Sequence, residues 1–151
     1  MKPNIKINDF KITVPLIVKT VMVIFLVIYL GRLYVSDYAA DVSMDKISAA
    51  LEQISGVTDL DEPGVSGLRR FYQIDDSDLD SYFFRKAASP MSVDEILVIK
   101  AKSSSEAASY LNAAQAHLES QKNIFEGYGT DQMALLGDAS VEKRGVYVWY
   151  F

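Results

Sequence analysis

Residues 21–30 read VMVIFLVIYL, an unbroken run without a charge. From Val14 to Leu30 only Lys19 and Thr20 interrupt the apolar pattern. A helix crossing the hydrocarbon core of a bilayer needs about 20 residues, with a range of roughly 17–25. Extension to Ile12 and Val35 brings the segment into that range. Lys19 sits near one end, where its ammonium can snorkel to the headgroups. Tyr29 and Tyr34 sit near the other, at the depth amphipathic rings favour. Pro15 falls in the expected first turn, where its missing N–H costs nothing. A buried helix of a soluble domain keeps a polar stripe, and VMVIFLVIYL has none. A cleaved export signal needs small residues before its cleavage point. The candidates Gly31 and Ala40 place Tyr29 and Tyr38 at the −3 position. The pattern therefore predicts a permanent signal-anchor helix over 14–35.

Charge sets its expected direction. Lys2, Lys6, Lys11, Lys19 and Arg32 stand against Asp9 in residues 1–32, net +4, and four of the five basic residues precede the main apolar run. The positive-inside rule places residues 1–13 in the cytoplasm and residues 41–151 outside, as an extracytoplasmic domain on a single-pass protein of the cell membrane. The chain has no cysteine, so it has neither a disulfide nor a lipidation thiol.

The domain of about 110 residues can bury a real core of modest size. From Tyr38 onward 10 Lys/Arg face 18 Asp/Glu, net −8. Such a surface repels phosphate backbones and argues against a nucleic-acid partner. Within the domain, Met44, Ile47, Leu51 and Ile54 recur at helical spacing over 43–55. Strands are predicted over 68–74 (LRRFYQI), 81–88 (SYFFRKAA), 93–102 (VDEILVIKAK) and 146–151 (VYVWYF). Between the last two, Ser103 and Glu106 form a capping box. They open a helix of about 22 residues with Ala107, Leu111, Ala114, Leu118 and Phe125 on one face. Residues 130–145 read as a short helical turn, then a loop or short strand. The order predicts an α+β domain: a small antiparallel sheet with helices packed on one face, preceded by one N-terminal transmembrane helix.

Several groups of residues invite a chemical reading. A zinc site needs three or four ligands, and one histidine without cysteine does not provide them. His117, off the apolar stripe, reads as a solvated or half-buried helix residue. Asp76, Asp78 and Asp80 echo the start of a calcium loop, yet Ser81 replaces the glycine and Ala87 the closing glutamate. They read as a capping cluster beside Arg69 and Arg70, with weak divalent binding as the alternative. Asp94, Glu95 and Glu126 are the candidates for a carboxylate pair in acid/base work. Arg69, Arg70, Arg85 and Lys86 fall on two expected neighbouring strands, where they either make a basic patch for an acidic partner or satisfy the carboxylates of Asp75–Asp80. The strands are rich in aromatics, and alternation sends half of them outward. Tyr72, Tyr147, Trp149 and Phe151 are accordingly candidate interaction residues. No cofactor motif is present.

SPMSVDEILVIKAKS, the helix end QKNIFEGYGTDQMALL and the closing GVYVWYF resemble the bacterial domain-of-unknown-function family 4358, over about residues 43–151. The specific pieces are Met91, Asp94–Glu95, Lys100, the run from Gln121 to Tyr128, Gln132 and Gly145. The resemblance implies an extracytoplasmic domain of the membrane-anchored or lipoprotein type found in Gram-positive anaerobes, here carried by a helix instead of a lipidated cysteine. It implies no catalytic residue or substrate. The physical reading of the signature is structural: Phe125 and Tyr128 seal the helix end, and Gly127 permits a left-handed cap. Glu95 and Lys100 each meet a neighbour across the sheet.

The expected function is a non-enzymatic, membrane-anchored domain that binds another membrane or envelope protein. The alternatives are a carboxylate-dependent envelope hydrolase, which needs a concave pocket holding two carboxylates, and a small-ligand sensor, which needs a cavity of a few hundred Å³.

Overall fold

The computed structural model describes residues 8–35, 39–127 and 129–151, with side chains in the first stretch described for residues 16–32. The chain divides into two compact units, 1–37 and 38–151. The first contains helix α1 (Asn8–Val35). It starts before residue 14, so Pro15 lies inside the helix and not in its first turn. Every side chain from Leu16 to Arg32 is exposed within this unit. Among the described residues no helix is long and apolar enough to cross a membrane. The expected roles of Tyr34, Tyr38 and Tyr128 lie outside the described residues, as does the segment 1–7.

The second unit is an α+β domain. Helix α2 (Met44–Leu51) is followed by a 3-10 turn, Val57–Asp59, and by a short helical turn α3 (Gly64–Gly67). That turn runs straight into a π-helical turn, Leu68–Tyr72. The expected strand over 68–74 is therefore helical. The spacing explains it: Leu68 and Tyr72, four residues apart, enter the core together, while the adjacent Arg69 and Arg70 stay outside. Gln73 ends the turn in the left-handed region, at φ 58°.

Strands β1 (Leu79–Lys86) and β2 (Glu95–Ala101) pair antiparallel, with Phe84 opposite Leu97 and Lys86 opposite Glu95. Helix α4 (Ser104–Phe125) follows, capped as expected by the Ser103 hydroxyl, which accepts from the Glu106 N–H at 3.2 Å. Such a cap contributes about 1 kcal/mol. Helix α5 (Thr130–Asp138), β3 (Val141–Arg144) and β4 (Tyr147–Tyr150) complete the fold. Strands β3 and β4 form a two-residue hairpin whose first loop residue is Gly145, at φ 60°, the conformation such a turn demands. The sheet order is β1-β2-β4-β3, antiparallel throughout.

Alternation along β2 defines two cores. Leu97, Ile99 and Ala101 face α4 and pack with Phe84, Val148, Tyr150, Ala107 and Ala114. Val98, with Phe83, faces the other way onto Met44 and Val57, with Ile47, Leu51 and Trp149 at the margin. Helix α2 thus covers the face opposite α4. The expectation of helices on one face only is corrected: both faces of the central strand are apolar, and each requires a cover. A third cluster, Val93, Phe125 and Leu136, closes the end of α4 against α5. There the Gln132 side chain accepts from the Val93 N–H at 2.9 Å.

Candidate functional site

Glu95 begins an apolar strand on the alternation that points into the main core, and it is only 5 % exposed. A carboxylate there must be satisfied by donors. Three converge on it. The Tyr72 hydroxyl donates to Oε1. Lys86 Nζ, from the paired position on β1, donates to Oε2 at 2.7 Å. His117 Nε2, from α4, lies 3.1 Å from the same oxygen. Burial pushes the Glu95 carboxyl up, yet the hydrogen bond and charge of His117, with those of Lys86, hold it below the ordinary value. The Tyr72 phenol is pushed well up, first by burial and then by the neighbouring Glu95 charge.

His117 is 6 % exposed. It lies on the inward stripe Ala107, Tyr110, Ala114, His117, Phe125, three residues after Ala114. The reading of a solvated or half-buried histidine off the stripe is corrected. Counting only apolar residues hid it, because a histidine can occupy an inward position once a carboxylate waits there. Its ring is boxed by Tyr72, Tyr150 and Phe71, with centroids at 4.5, 5.8 and 5.9 Å. An ionised carboxylate only accepts, so Nε2 carries the proton toward Glu95 and Nδ1 is the acceptor in the neutral ring. Nδ1 has no protein partner among the described residues.

Two cavities flank this cluster. One of about 480 Å³ is lined by His117, Tyr72, Phe71 and Arg70 from one side and by Ala113 and Ala116. The other, about 580 Å³, lies beyond Phe71 and Arg70, against Lys86, Gln121 and Ile124.

The remaining candidate residues are dispersed. Asp94 is exposed and bonded to the Ser92 hydroxyl at 2.6 Å, and Glu126 is exposed at the end of α4. Neither joins Glu95, whose partners are donors and not a second carboxylate. The basic residues are engaged separately. Arg69 Nη2 donates to Asp75 at 2.9 Å and Asp76 at 3.2 Å. Arg85 meets Glu62 at 2.9 Å and Glu52 at 3.2 Å. Lys86 is taken by Glu95, and Arg70 lies over the Phe71 ring. Asp75 caps the 3-10 turn Asp76–Asp78, and its carboxyl is lowered to about 2, mainly by the Arg69 hydrogen bond. Asp80 lies 3.7 Å from Lys100, and no group of three possible metal ligands converges among the described residues. Lys100 also pairs with Asp41 at 2.7 Å. The Tyr147 hydroxyl is buried against the segment before α2, accepting from the Val42 N–H at 2.8 Å. Trp149 is half-buried and Phe151 is 48 % exposed.

The fold and site define a small α+β domain with a four-stranded antiparallel sheet around a buried carboxylate–histidine–lysine–tyrosine cluster. The chain belongs to the family described as Domain of unknown function (DUF4358), which matches residues 53–151. Comparison with curated proteins and with solved structures finds no match.

Proposed function

We propose that the chain is a single-pass membrane protein, anchored by residues 14–35, with residues 1–13 in the cytoplasm. Its domain of residues 41–151 lies outside and binds another membrane or envelope protein without catalysing a reaction. One observation carries the anchor. The described apolar side chains of α1, from Leu16 to Leu30, are each 53–72 % exposed within their own unit. Burying one such side chain is worth about 1.5–3 kcal/mol, so a lipid cover is the economical explanation. The domain's apolar groove of about 320 Å³, lined by Ile47, Leu51, Val98, Tyr147, Trp149 and Phe151, supports the protein-binding role. The engagement of Glu95 by three donors, away from Asp94 and Glu126, favours binding over carboxylate hydrolysis.

The test uses the full chain with a C-terminal epitope tag. The tag should remain in the membrane pellet after alkaline carbonate and be cut by protease added to intact cells. Release by carbonate, or protection until lysis, overturns the anchor or its orientation. A photo-crosslinker at Trp149 should capture a membrane or envelope protein in native membranes. Its failure there, with the purified chain monomeric, overturns the binding role.

A further inference from the structure

The domain from residue 38 onward is strongly acidic, yet the cavity of about 480 Å³ beside His117 has no Asp or Glu in its lining. It has Arg70. Arg69 and Arg85 have acidic partners, whereas Arg70 has none among the described residues. Its guanidinium carbon stands 5.2 Å from the Phe71 ring centroid, which limits the directions in which its planar fork can be offered. His117 is among the lining residues, and Gln73 and Ser120 add polar side chains. Ala113 and Ala116 leave room where longer side chains on α4 would fill it.

We propose that this cavity binds a small organic monocarboxylate, with Arg70 holding the carboxylate and His117 Nδ1 accepting a hydrogen bond from a hydroxyl of the same ligand. Arg70 is the one permanent cation in the lining, and it balances one negative charge. A phosphate dianion would leave charge uncompensated inside an acidic domain. Phe71, Ala113 and Ala116 provide an apolar wall for the body of the ligand, and the volume falls in the range of small-molecule sites. The Glu95 carboxylate acts here as a positioning group: it fixes the histidine tautomer that makes Nδ1 an acceptor. The inference stands on the domain alone and is independent of anchoring and of the protein-binding groove.

His117 is the one histidine of the chain, so histidine labelled with 15N gives a single ring to observe. The full chain in detergent micelles is titrated with mandelate, with phenylacetate, which lacks the hydroxyl, and with inorganic phosphate. Mandelate should shift the Nδ1 resonance saturably and bind more tightly than phenylacetate. Phosphate should bind more weakly than either. Arg70→Gln should weaken mandelate about tenfold or more, the scale of a lost charge-assisted hydrogen bond. Arg69→Gln, whose arginine pairs with Asp75 and Asp76, should leave mandelate affinity unchanged. The proposal is overturned if mandelate produces no saturable shift, if Arg70→Gln binds it equally well, or if phosphate binds more tightly.

Discussion

His117 Nε2 stands 3.1 Å from Glu95 Oε2, the oxygen that Lys86 already holds at 2.7 Å. Two donors on one buried carboxylate oxygen make the cluster sensitive to loss of the acid. Glu95→Ala would leave Lys86 without its counter-charge and the His117 Nε2–H without its acceptor, both against an apolar core. We expect a destabilisation of about 3–5 kcal/mol, measured by chemical denaturation of the full chain. His117→Phe, which keeps the ring volume and leaves Glu95 its other two donors, should cost less than Glu95→Ala.

Acid should weaken the domain in a defined window. The folded-state carboxyls of Glu95 and Asp75 are lowered from ordinary values of 4.5 and 3.8, Asp75 to about 2. The unfolded chain therefore binds more protons, and stability rises with pH through this range. The contribution is complete above the unfolded values and is lost as pH falls through the folded ones. The thermal midpoint should fall as pH drops below about 4. Glu95→Gln should flatten part of that fall.

Alkali should act through Tyr72 and Tyr150, both raised from 10.0, first by burial and then by the Glu95 charge. Here the folded state holds its protons longer. Stability is complete below the unfolded value and declines as pH rises above it. A spectrophotometric titration should show these two phenols ionising only with unfolding. Tyr72→Phe should remove part of the alkaline decline.

Two glycines separate close packing from helix propensity. A Cβ at Gly67 would collide with Pro63 and stand 2.7 Å from Phe84 Cε1. Gly67→Ala should therefore destabilise by roughly 1–3 kcal/mol, the cost of overpacking. A Cβ at Gly137, inside α5, meets nothing within 4 Å. Gly137→Ala should stabilise by roughly 0.5–1 kcal/mol. Denaturant midpoints of the two variants should move in opposite directions.

The core gives a plain test of the two-faced sheet. Ile99 is fully buried toward α4, and Val98 nearly so toward α2. Ile99→Ala should cost about 2–5 kcal/mol. Val98→Ala should also be costly, which an uncovered second face would not allow. Ile124→Ala, at an exposed position, should stay within about 0.5 kcal/mol of the parent.

Several elements were legible because their signals are local. The Ser103 cap, the α4 periodicity, the apolar run of β2 and the β-branched, aromatic β4 each carry their own evidence within a few residues. Residues 68–74 misled because LRRFYQI fits a strand by composition, while its helical pairing of Leu68 with Tyr72 becomes visible only against the core. The buried cluster left a readable trace: Glu95 shares strand parity with Leu97 and Ile99, and His117 follows Ala114 by three. Each is a polar residue at an inward position, and treating both as clues would have suggested that they meet.

By itself, the sequence determined the apolar N-terminal helix, the acidic balance of the domain, its α+β class and the absence of a thiol. These follow from composition and from periods of two to four residues, which the backbone imposes locally. Only the tertiary structure decided that α2 covers the second face of the sheet, that the basic residues scatter to separate partners, and that Glu95 meets His117. Those outcomes depend on which distant segments share space, and the cost of burying an unpaired charge is settled between elements far apart in the chain.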